Sequence, residues 1–315
     1  MRNTRRIFPL IVVLIILFFL PSLSGCHGKA DNGIIYDDSA DESIYNEQGE
    51  NISTSSQAVV ETEAENISEE IDYEELINRS VLQYPSSDDQ FKYNVYKDSV
   101  TDNSFVEITG YSVSKEEAQV ITELEIPDQI DEKYVLSVSG FSNCTNLSSV
   151  VFPNKLMNIG NDAFKDCAII DLDLPDSVQY INDYGFFRNK LASLRCPKNL
   201  KRIGDKAFGD NKLVDIVTND KLEAIGERAF AFNWTQIDEL VLPESLQSIS
   251  SQAFFNTGIK DVYIKSMDVS IGTEVFEQAN IEEKDRTNTV YHAYPGSSVA
   301  TYCAENNYTF VVLEN

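Results

Sequence analysis

The stretch Ile159-Gly160-Asn161-Asp162-Ala163-Phe164 decides the fold, because an isoleucine followed five residues later by a phenylalanine returns at a nearly constant interval. The same pair recurs at Ile181/Phe186, Ile203/Phe208, Ile225/Phe230, Ile249/Phe254 and Ile271/Phe276. The steps from one isoleucine to the next are 22, 22, 22, 24 and 22 residues. A fixed period in this range indicates a solenoid or another repeat array. The sequence therefore predicts a repeat protein.

Each repeat also carries a short alternating segment between consecutive isoleucines. Apolar residues two apart alternate with polar ones, which is the period of a half-buried strand. These pairs are Val150/Phe152, Leu172/Leu174, Leu194/Cys196, Leu240/Leu242 and Val262/Ile264. Proline directly follows four of the pairs and ends the strand, because it cannot donate to the ladder. We expect coils of two short strands that bury their apolar faces by stacking, isoleucine on isoleucine and phenylalanine on phenylalanine.

The eighth position after the repeat isoleucine holds a small polar or thiol side chain. Asn189, Asn211 and Asn233 occupy it in three coils, and Cys167 occupies it in another. An asparagine inside the stack can bond the turn backbone of neighbouring coils, whereas a cysteine acts as a small buried hydrophobe. Cys144 falls in the same column as Cys167, so a disulfide is an alternative to the two free thiols that we favour.

Residues 172–181 (LDLPDSVQYI) and 240–249 (LVLPESLQSI) fit the unit LxxVxLPxSVxxIGxxAFxxC nearly position by position. This unit resembles the leucine-rich repeats of the BspA type, and the resemblance covers the chain from about Glu107 to its end. It implies a β-rich solenoid, a right-handed stack of about seven 22-residue coils. It also implies a bacterial surface family in which several members look like adhesins or host-contact proteins, and it fixes no ligand.

The first residues of the chain have the pattern of a secretory signal peptide. Arg2, Arg5 and Arg6 precede an apolar run over residues 7–20, and Leu23-Ser24-Gly25-Cys26 follows. These last four residues resemble a bacterial lipobox, in which Cys26 becomes the lipidated first residue of the mature protein. We therefore expect residues 1–25 to be a lipoprotein signal peptide and the protein to be exported and lipid-anchored, facing outside. An ordinary signal peptide or an uncleaved anchor is the alternative.

An acidic segment follows the lipobox. Residues 31–78 contain fifteen Asp or Glu residues and no Lys or Arg. Low hydrophobicity with charge of one sign predicts a disordered tether, assigned to residues 26–84, with a short helix around residues 69–82. Residues 85–315 are then the solenoid with its caps. The C-terminal cap is expected to hold a helix over residues 298–305 and a strand over residues 308–313.

Composition excludes several functions. The net charge of −26 argues against nucleic acid as a partner, because phosphate contacts need Lys and Arg. The two histidines, His27 and His292, leave little for histidine catalysis or metal binding. No phosphate-binding glycine loop, GxSxG, HExxH or paired-cysteine motif is present. We expect a monomeric protein that is not an enzyme and uses no cofactor or metal.

Two surfaces are candidates for binding. Outward strand residues should align in rows, one of them acidic, with Val217, Val241 and Tyr263 beside it. Eight basic residues between Arg188 and Lys212 predict a basic belt across two coils, on which the candidate ligand residues are Arg188, Arg195, Lys198, Lys201 and Arg202. The belt could hold an acidic glycan or the protein's own acidic tether, and charge balance within the solenoid is the alternative. Trp234 is either an exposed anchor for a partner or a cap on the core.

Together these observations predict an exported, membrane-anchored lipoprotein whose solenoid binds an extracellular protein or glycan without catalysis, in the manner of an adhesin. The alternative is a structural envelope scaffold that docks another surface protein of the same cell.

Overall fold

The computed structural model describes residues 71–234, 237–279 and 289–314 of the 315-residue chain. All of these belong to one compact unit. The expected signal peptide and Cys26 lie outside the described residues.

The described chain begins with a helix and three antiparallel strands that cap the stack. Helix α1 spans Tyr73–Arg79 and leads into β1 (Ser80–Ser87), β2 (Phe91–Asp98) and β3 (Ser104–Tyr111). Neighbouring strands of this group pair antiparallel. A one-turn helix, α2 (Lys115–Ala118), follows, and its N-cap Ser114 forms a capping box with Glu117.

From β3 onward the main sheet is parallel and adds one strand per coil. Beside β3 lie β6 (Lys133–Val138), β8 (Asn158–Ile159), β9 (Tyr180–Ile181), β11 (Arg202–Ile203), β13 (Ala224–Ile225), β15 (Ser248–Ile249) and β17 (Ser270–Ile271). The register places each repeat isoleucine opposite the next one, from Ile159 against Ile181 to Ile249 against Ile271. The stack has about eight turns, one more than the sequence predicted.

The opposite side of the stack carries parallel ladders with fewer strands than the main sheet. β4 (Glu123–Glu125) pairs with β7 (Ser149–Val151), and β10 (Ser193–Arg195) pairs with β12 (Asp215–Val217). β14 (Glu239–Leu242), β16 (Asp261–Ile264), β18 (Val290–Ala293) and β19 (Phe310–Val312) form a four-stranded sheet. A two-residue strand, β5 (Gln129–Ile130), pairs with β6.

The strand predicted at Leu172 and Leu174 is absent. Leu174 is still buried, so the side chains alternate as expected. The contact leading into this segment, from the Ile170 N–H to the Ser148 carbonyl oxygen, is stretched to 3.4 Å. Burial of alternate side chains therefore does not by itself guarantee a strand.

The phenylalanines form a continuous column through the core. Phe141, Phe164, Phe186, Phe208, Phe230, Phe254 and Phe276 stack with ring centroids 4.9–5.5 Å apart and planes within 13° of parallel. Offset stacking of aromatic rings adds to the burial of their apolar area. The column confirms the predicted alignment of phenylalanines between coils.

The asparagines of the eighth position form a polar ladder beside this column. The Asn211 side-chain amide donates to the carbonyl oxygens of Phe186 and Phe208, at 3.0 and 3.1 Å. Its oxygen accepts from the Leu191 N–H at 3.1 Å. Asn189 and Asn233 repeat the arrangement one coil away on either side. Each asparagine thus satisfies turn groups that the coil alone leaves unpaired.

The cysteine columns contain free thiols. Cys144, Cys167, Cys196 and Cys303 are all buried and unbridged, so the favoured alternative for Cys144 and Cys167 is confirmed. Burial raises the pKa of Cys196 to about 12 and that of Cys303 to about 11, which keeps both thiols protonated.

The folded part begins earlier than the boundary predicted at residues 84 and 85. α1 lies inside the segment assigned to the tether, and β1 crosses the boundary. Tyr73 and Leu76 are buried beside Leu136, Met157 and Tyr180. This apolar contact stabilises a segment whose composition alone indicates disorder. At the other end, α3 (Ser298–Asn306) and β19 form the predicted cap.

Candidate ligand-binding cleft

The residues of the predicted basic belt do not share one face. Arg195 lies exposed on β10, whereas Lys198 lies in the turn that follows and pairs with Asp176. Lys201 and Arg202 lie on the opposite side of the coil, at β11. Arg188 is on a third edge. The belt prediction was wrong in its geometry, because residues close in sequence pass around the coil.

Two of these cations hold the N-terminal helix. The Lys201 ammonium lies 2.5 Å from the Asp72 carboxylate, and Arg202 lies 3.2 Å from Glu74. The Tyr180 hydroxyl donates to Asp72 at 2.7 Å. Burial and the neighbouring Asp72 charge raise the pKa of Tyr180, so this hydroxyl stays a donor. Asp72 and Glu74 belong to the segment that the sequence analysis assigned to the acidic tether. That tether was one of the ligands considered for the basic belt.

The strand face carries a second predicted residue, Tyr263. Its ring stacks on His292 with a centroid distance of 4.2 Å, and His292 Nε2 lies 2.7 Å from an Asp261 carboxylate oxygen. Tyr263 is half-buried in this contact, and Val217 is exposed on the same face. Tyr263, His292 and Asp261 are thus held by one another on this face.

The third residue after each repeat isoleucine lies at the edge of a tight turn with a left-handed backbone. Tyr184, Lys206 and Arg228 adopt φ of 57°, 55° and 54°. Their N–H groups donate to the carbonyl oxygens of the next coil at 2.8, 2.8 and 3.2 Å. The three side chains therefore stand in one column along this edge. They are aromatic or basic, while the coils on either side have Asp162 and Gln252.

A gap opens in the neighbouring column, the sixth position after the repeat isoleucine. Phe187 and Phe255 occupy it in two coils, but Gly209 and Ala231 occupy it in the two coils between them. A Cβ at Gly209 would lie 3.2 Å from the Phe187 ring, so glycine lets that ring settle against the backbone. A glycine and an alanine between two phenylalanines leave an open slot.

This slot is a cleft of about 190 Å³, called here the turn-edge cleft. It is lined by Tyr184, Phe187, Arg188, Lys206, Gly209, Asp210, Arg228, Ala231 and Phe232. Its walls are aromatic, and three cations face a single carboxylate. The local balance is positive on a chain whose net charge is −26.

The cations of the cleft differ in how far they are neutralised. Arg188 lies 3.1 Å from Asp210 and 3.7 Å from Asp166, with its guanidinium over the Phe187 ring. Arg228 donates to the neutral Gln252 amide at 2.5 Å and lies 3.9 Å from Glu227. Lys206 donates to the Tyr184 hydroxyl at 2.8 Å and pairs with no carboxylate among the described residues.

Trp234 stands beside the cleft. Its ring lies 5.9 Å from Phe232, and 63% of the residue is exposed. Exposure on this scale excludes the alternative in which Trp234 caps the core. Of the predicted site residues, Arg188 lines the cleft and Trp234 stands next to Phe232, which also lines it. The other predicted residues lie elsewhere. Comparing the third and sixth positions across coils would have found the cleft from sequence.

Within the part of the chain that the structure describes, no group of three or more His, Cys, Asp or Glu side chains is arranged to hold a metal ion. Over the same residues, no helix combines the length and apolarity needed to cross a membrane. The chemistry that the cleft offers is recognition, with aromatic faces and cations for an anionic group.

Comparison with protein families agrees with the repeat geometry. The BspA type leucine-rich repeat region matches in six copies, over residues 116–232, 167–282 and 228–297. These matches span more than half of the chain. The chain belongs to the BspA type leucine-rich repeat family. Among curated proteins, no relative matches it.

Solved structures with similarity include three bacterial leucine-rich repeat proteins. One from Bacteroides ovatus is 16% identical, with 73% of this chain and 77% of that chain covered and a TM-score of 0.38. A leucine-rich cell surface protein from Faecalibacterium prausnitzii is 16% identical, with 66% and 76% covered and a TM-score of 0.32. One from Eubacterium ventriosum is 16% identical, with 68% and 72% covered and a TM-score of 0.34.

Proposed function

We propose that this protein is exported, is held to the outer side of the membrane through lipidated Cys26, and binds an extracellular protein or glycan without catalysis. Membership of a solenoid family that typically lacks catalysis supports the binding role. The signal-peptide pattern before Cys26 supports export and anchoring.

The turn-edge cleft is the observation that carries the binding role. Ligand sites are concave and combine apolar walls with a few placed polar groups. The cleft has three aromatic walls and a lysine without an acidic partner among the described residues. The Lys206 ammonium is held by the neutral Tyr184 side chain, so its charge is available to an anionic group.

Binding of the full chain in detergent micelles to a panel of immobilised extracellular matrix proteins and bacterial envelope glycans tests this role. The double variant Lys206→Gln/Arg228→Gln should lose the binding, because it removes charge from the cleft and touches no core residue. The matched control Asp215→Asn/Glu239→Gln changes two charges on the strand face and should keep it.

Loss of binding in the strand-face control alone would contradict a role for the cleft and favour the envelope scaffold that docks another surface protein. Absence of binding to every member of the panel would contradict the receptor role as a whole.

Anchoring has a separate test. Labelled palmitate should be incorporated into the chain when it is expressed in a bacterial host, and Cys26→Ala should abolish the label and release the protein from the membrane fraction. A Cys26→Ala protein that stays membrane-bound would contradict the lipid anchor.

A further inference from the structure

We propose that the turn-edge cleft binds a hexuronate, a six-membered sugar ring that carries a carboxylate, as one residue of an acidic polysaccharide. This inference rests on the proposed binding function and names the chemical class of its partner.

The size of the cleft suits a single sugar ring. Its volume of about 190 Å³ is below the 300–1,000 Å³ typical of pockets for drug-sized ligands. Phe187, Phe232 and Tyr184 line it. An aromatic face carries negative charge density and attracts the weakly positive C–H groups on the apolar face of a pyranose.

The charges of the cleft suit a carboxylate with hydroxyls around it. Lys206 supplies an ammonium without an acidic partner among the described residues, and Arg228 supplies a guanidinium held mainly by a neutral amide. A guanidinium can bond both oxygens of a carboxylate. Asp210 lies in the same cleft and accepts hydrogen bonds, which sugar hydroxyls donate.

The backbone at the cleft argues against an extended acidic peptide. A peptide that adds to a sheet edge needs free main-chain donors. Here the N–H groups of Lys206 and Asp210 already donate to the carbonyl oxygens of Glu227 and Ala231, each at 2.8 Å. A ligand must therefore bind through side chains, and a ring with a carboxylate uses both the aromatic walls and the cations.

Calorimetric titration of the full chain in detergent micelles with tetragalacturonate tests the inference, beside neutral galactotetraose and hexaglutamate. We expect tetragalacturonate to bind at least tenfold more tightly than either control. The affinity should fall as salt is raised, because the contact includes charge pairs.

Variants locate the site. Lys206→Gln and Arg228→Gln should each weaken tetragalacturonate binding about tenfold. Phe232→Asn should weaken it similarly by removing an aromatic wall, since asparagine tolerates the left-handed backbone at this position, where φ is 62°. Lys198→Gln is the matched control, a lysine on another face that pairs with Asp176 and should change nothing. Thermal melting of each variant confirms that it is folded.

Equal binding of galactotetraose would overturn the role of the carboxylate. An equal loss in Lys198→Gln and Lys206→Gln would overturn the location. Hexaglutamate bound in place of tetragalacturonate, or no binding of the uronate, would overturn the hexuronate assignment. The binding panel of extracellular matrix proteins and envelope glycans tests the proposed function independently. Failure of the hexuronate assignment is therefore distinguishable from failure of the proposed function.

Discussion

The Asn211 side chain forms hydrogen bonds with backbone groups that have no partner within a single coil. It joins its own coil to the preceding one through its contacts with Phe208, Phe186 and Leu191, and it is 5% exposed. Asn211→Ala leaves buried backbone groups unpaired and should lower the free energy of unfolding by about 3 kcal/mol. Asn306→Ala, at an exposed position of α3, should change it by less than about 0.5 kcal/mol. Denaturant titration of both variants checks this, and equal effects would contradict it.

The charge of Asp98 should contribute to the stability of the fold. Burial raises the pKa of Asp98, but bonds from Arg79, Thr101 and the Val100 N–H outweigh it and lower the pKa to about 2. A carboxyl with a depressed folded pKa stabilises above its unfolded pKa of about 3.8 and loses that contribution as pH falls toward 2.

Asp98→Asn should therefore lower the free energy of unfolding at pH 7 by about 1–2 kcal/mol, with allowance for solvent around the partly exposed Arg79. The difference from the parent should shrink between pH 4 and pH 2. Thermal melting across this range measures it. A difference independent of pH would show that packing, rather than charge, holds Asp98.

At the scale of elements, one buried glutamine, Gln179, adds two hydrogen bonds to the ion pairs and apolar contacts that hold α1 to the side of the stack. Gln179 accepts from the Tyr73 N–H and donates to the Ile71 carbonyl oxygen, both at 2.8 Å. Gln247 occupies the same repeat position three coils away and is exposed. Gln179→Ala should speed amide exchange in α1 about tenfold or more, because local opening becomes easier.

Gln247→Ala is the control and should leave α1 unchanged. Hydrogen exchange read by mass spectrometry distinguishes the outcomes. Equal acceleration along the phenylalanine column would mean that Gln179 supports the whole stack, contrary to a local role.

The coil is the unit of the stack, so whole coils should be removable. Deletion of residues 250–271 joins Ile249 to Gly272 and keeps both columns in register, since β14 can then pair with β18 as β16 did. The shortened chain should keep a cooperative thermal transition at a somewhat lower temperature. Deletion of residues 250–260 shifts the register by half a coil and should abolish the cooperative thermal transition. Far-UV circular dichroism during heating reports both.

At the scale of the molecule, the repeat made much of the fold predictable. Columns of identical side chains, such as Phe164 on Phe186, follow from the period alone. The ladder of Asn211 and the shared column of Cys144 and Cys167 follow from the same alignment, whereas the free state of the two thiols comes from the structure. The Glu75–Arg79 pair in α1 follows from helical spacing.

The sequence did not predict where the exceptions to the repeat come together. The docking of Tyr73 against Tyr180 joins residues more than a hundred positions apart, and no periodicity encodes it. The basic residues looked like one belt because sequence proximity hides the turn of the coil between Arg195 and Arg202. The cleft exists because Gly209 and Ala231 stand where other coils have a phenylalanine. A consensus of the repeat hides such departures at single positions.

Fluorescence of Trp234, the only tryptophan in the chain, tests most directly whether ligands bind at the turn-edge cleft. It stands beside Phe232, and Phe232 lines the cleft. Titration with tetragalacturonate should change its emission with a saturating curve, and Lys206→Gln should shift the midpoint about tenfold to higher concentration. Binding detected by calorimetry with no change in emission, or with the same midpoint in Lys206→Gln, would contradict the account.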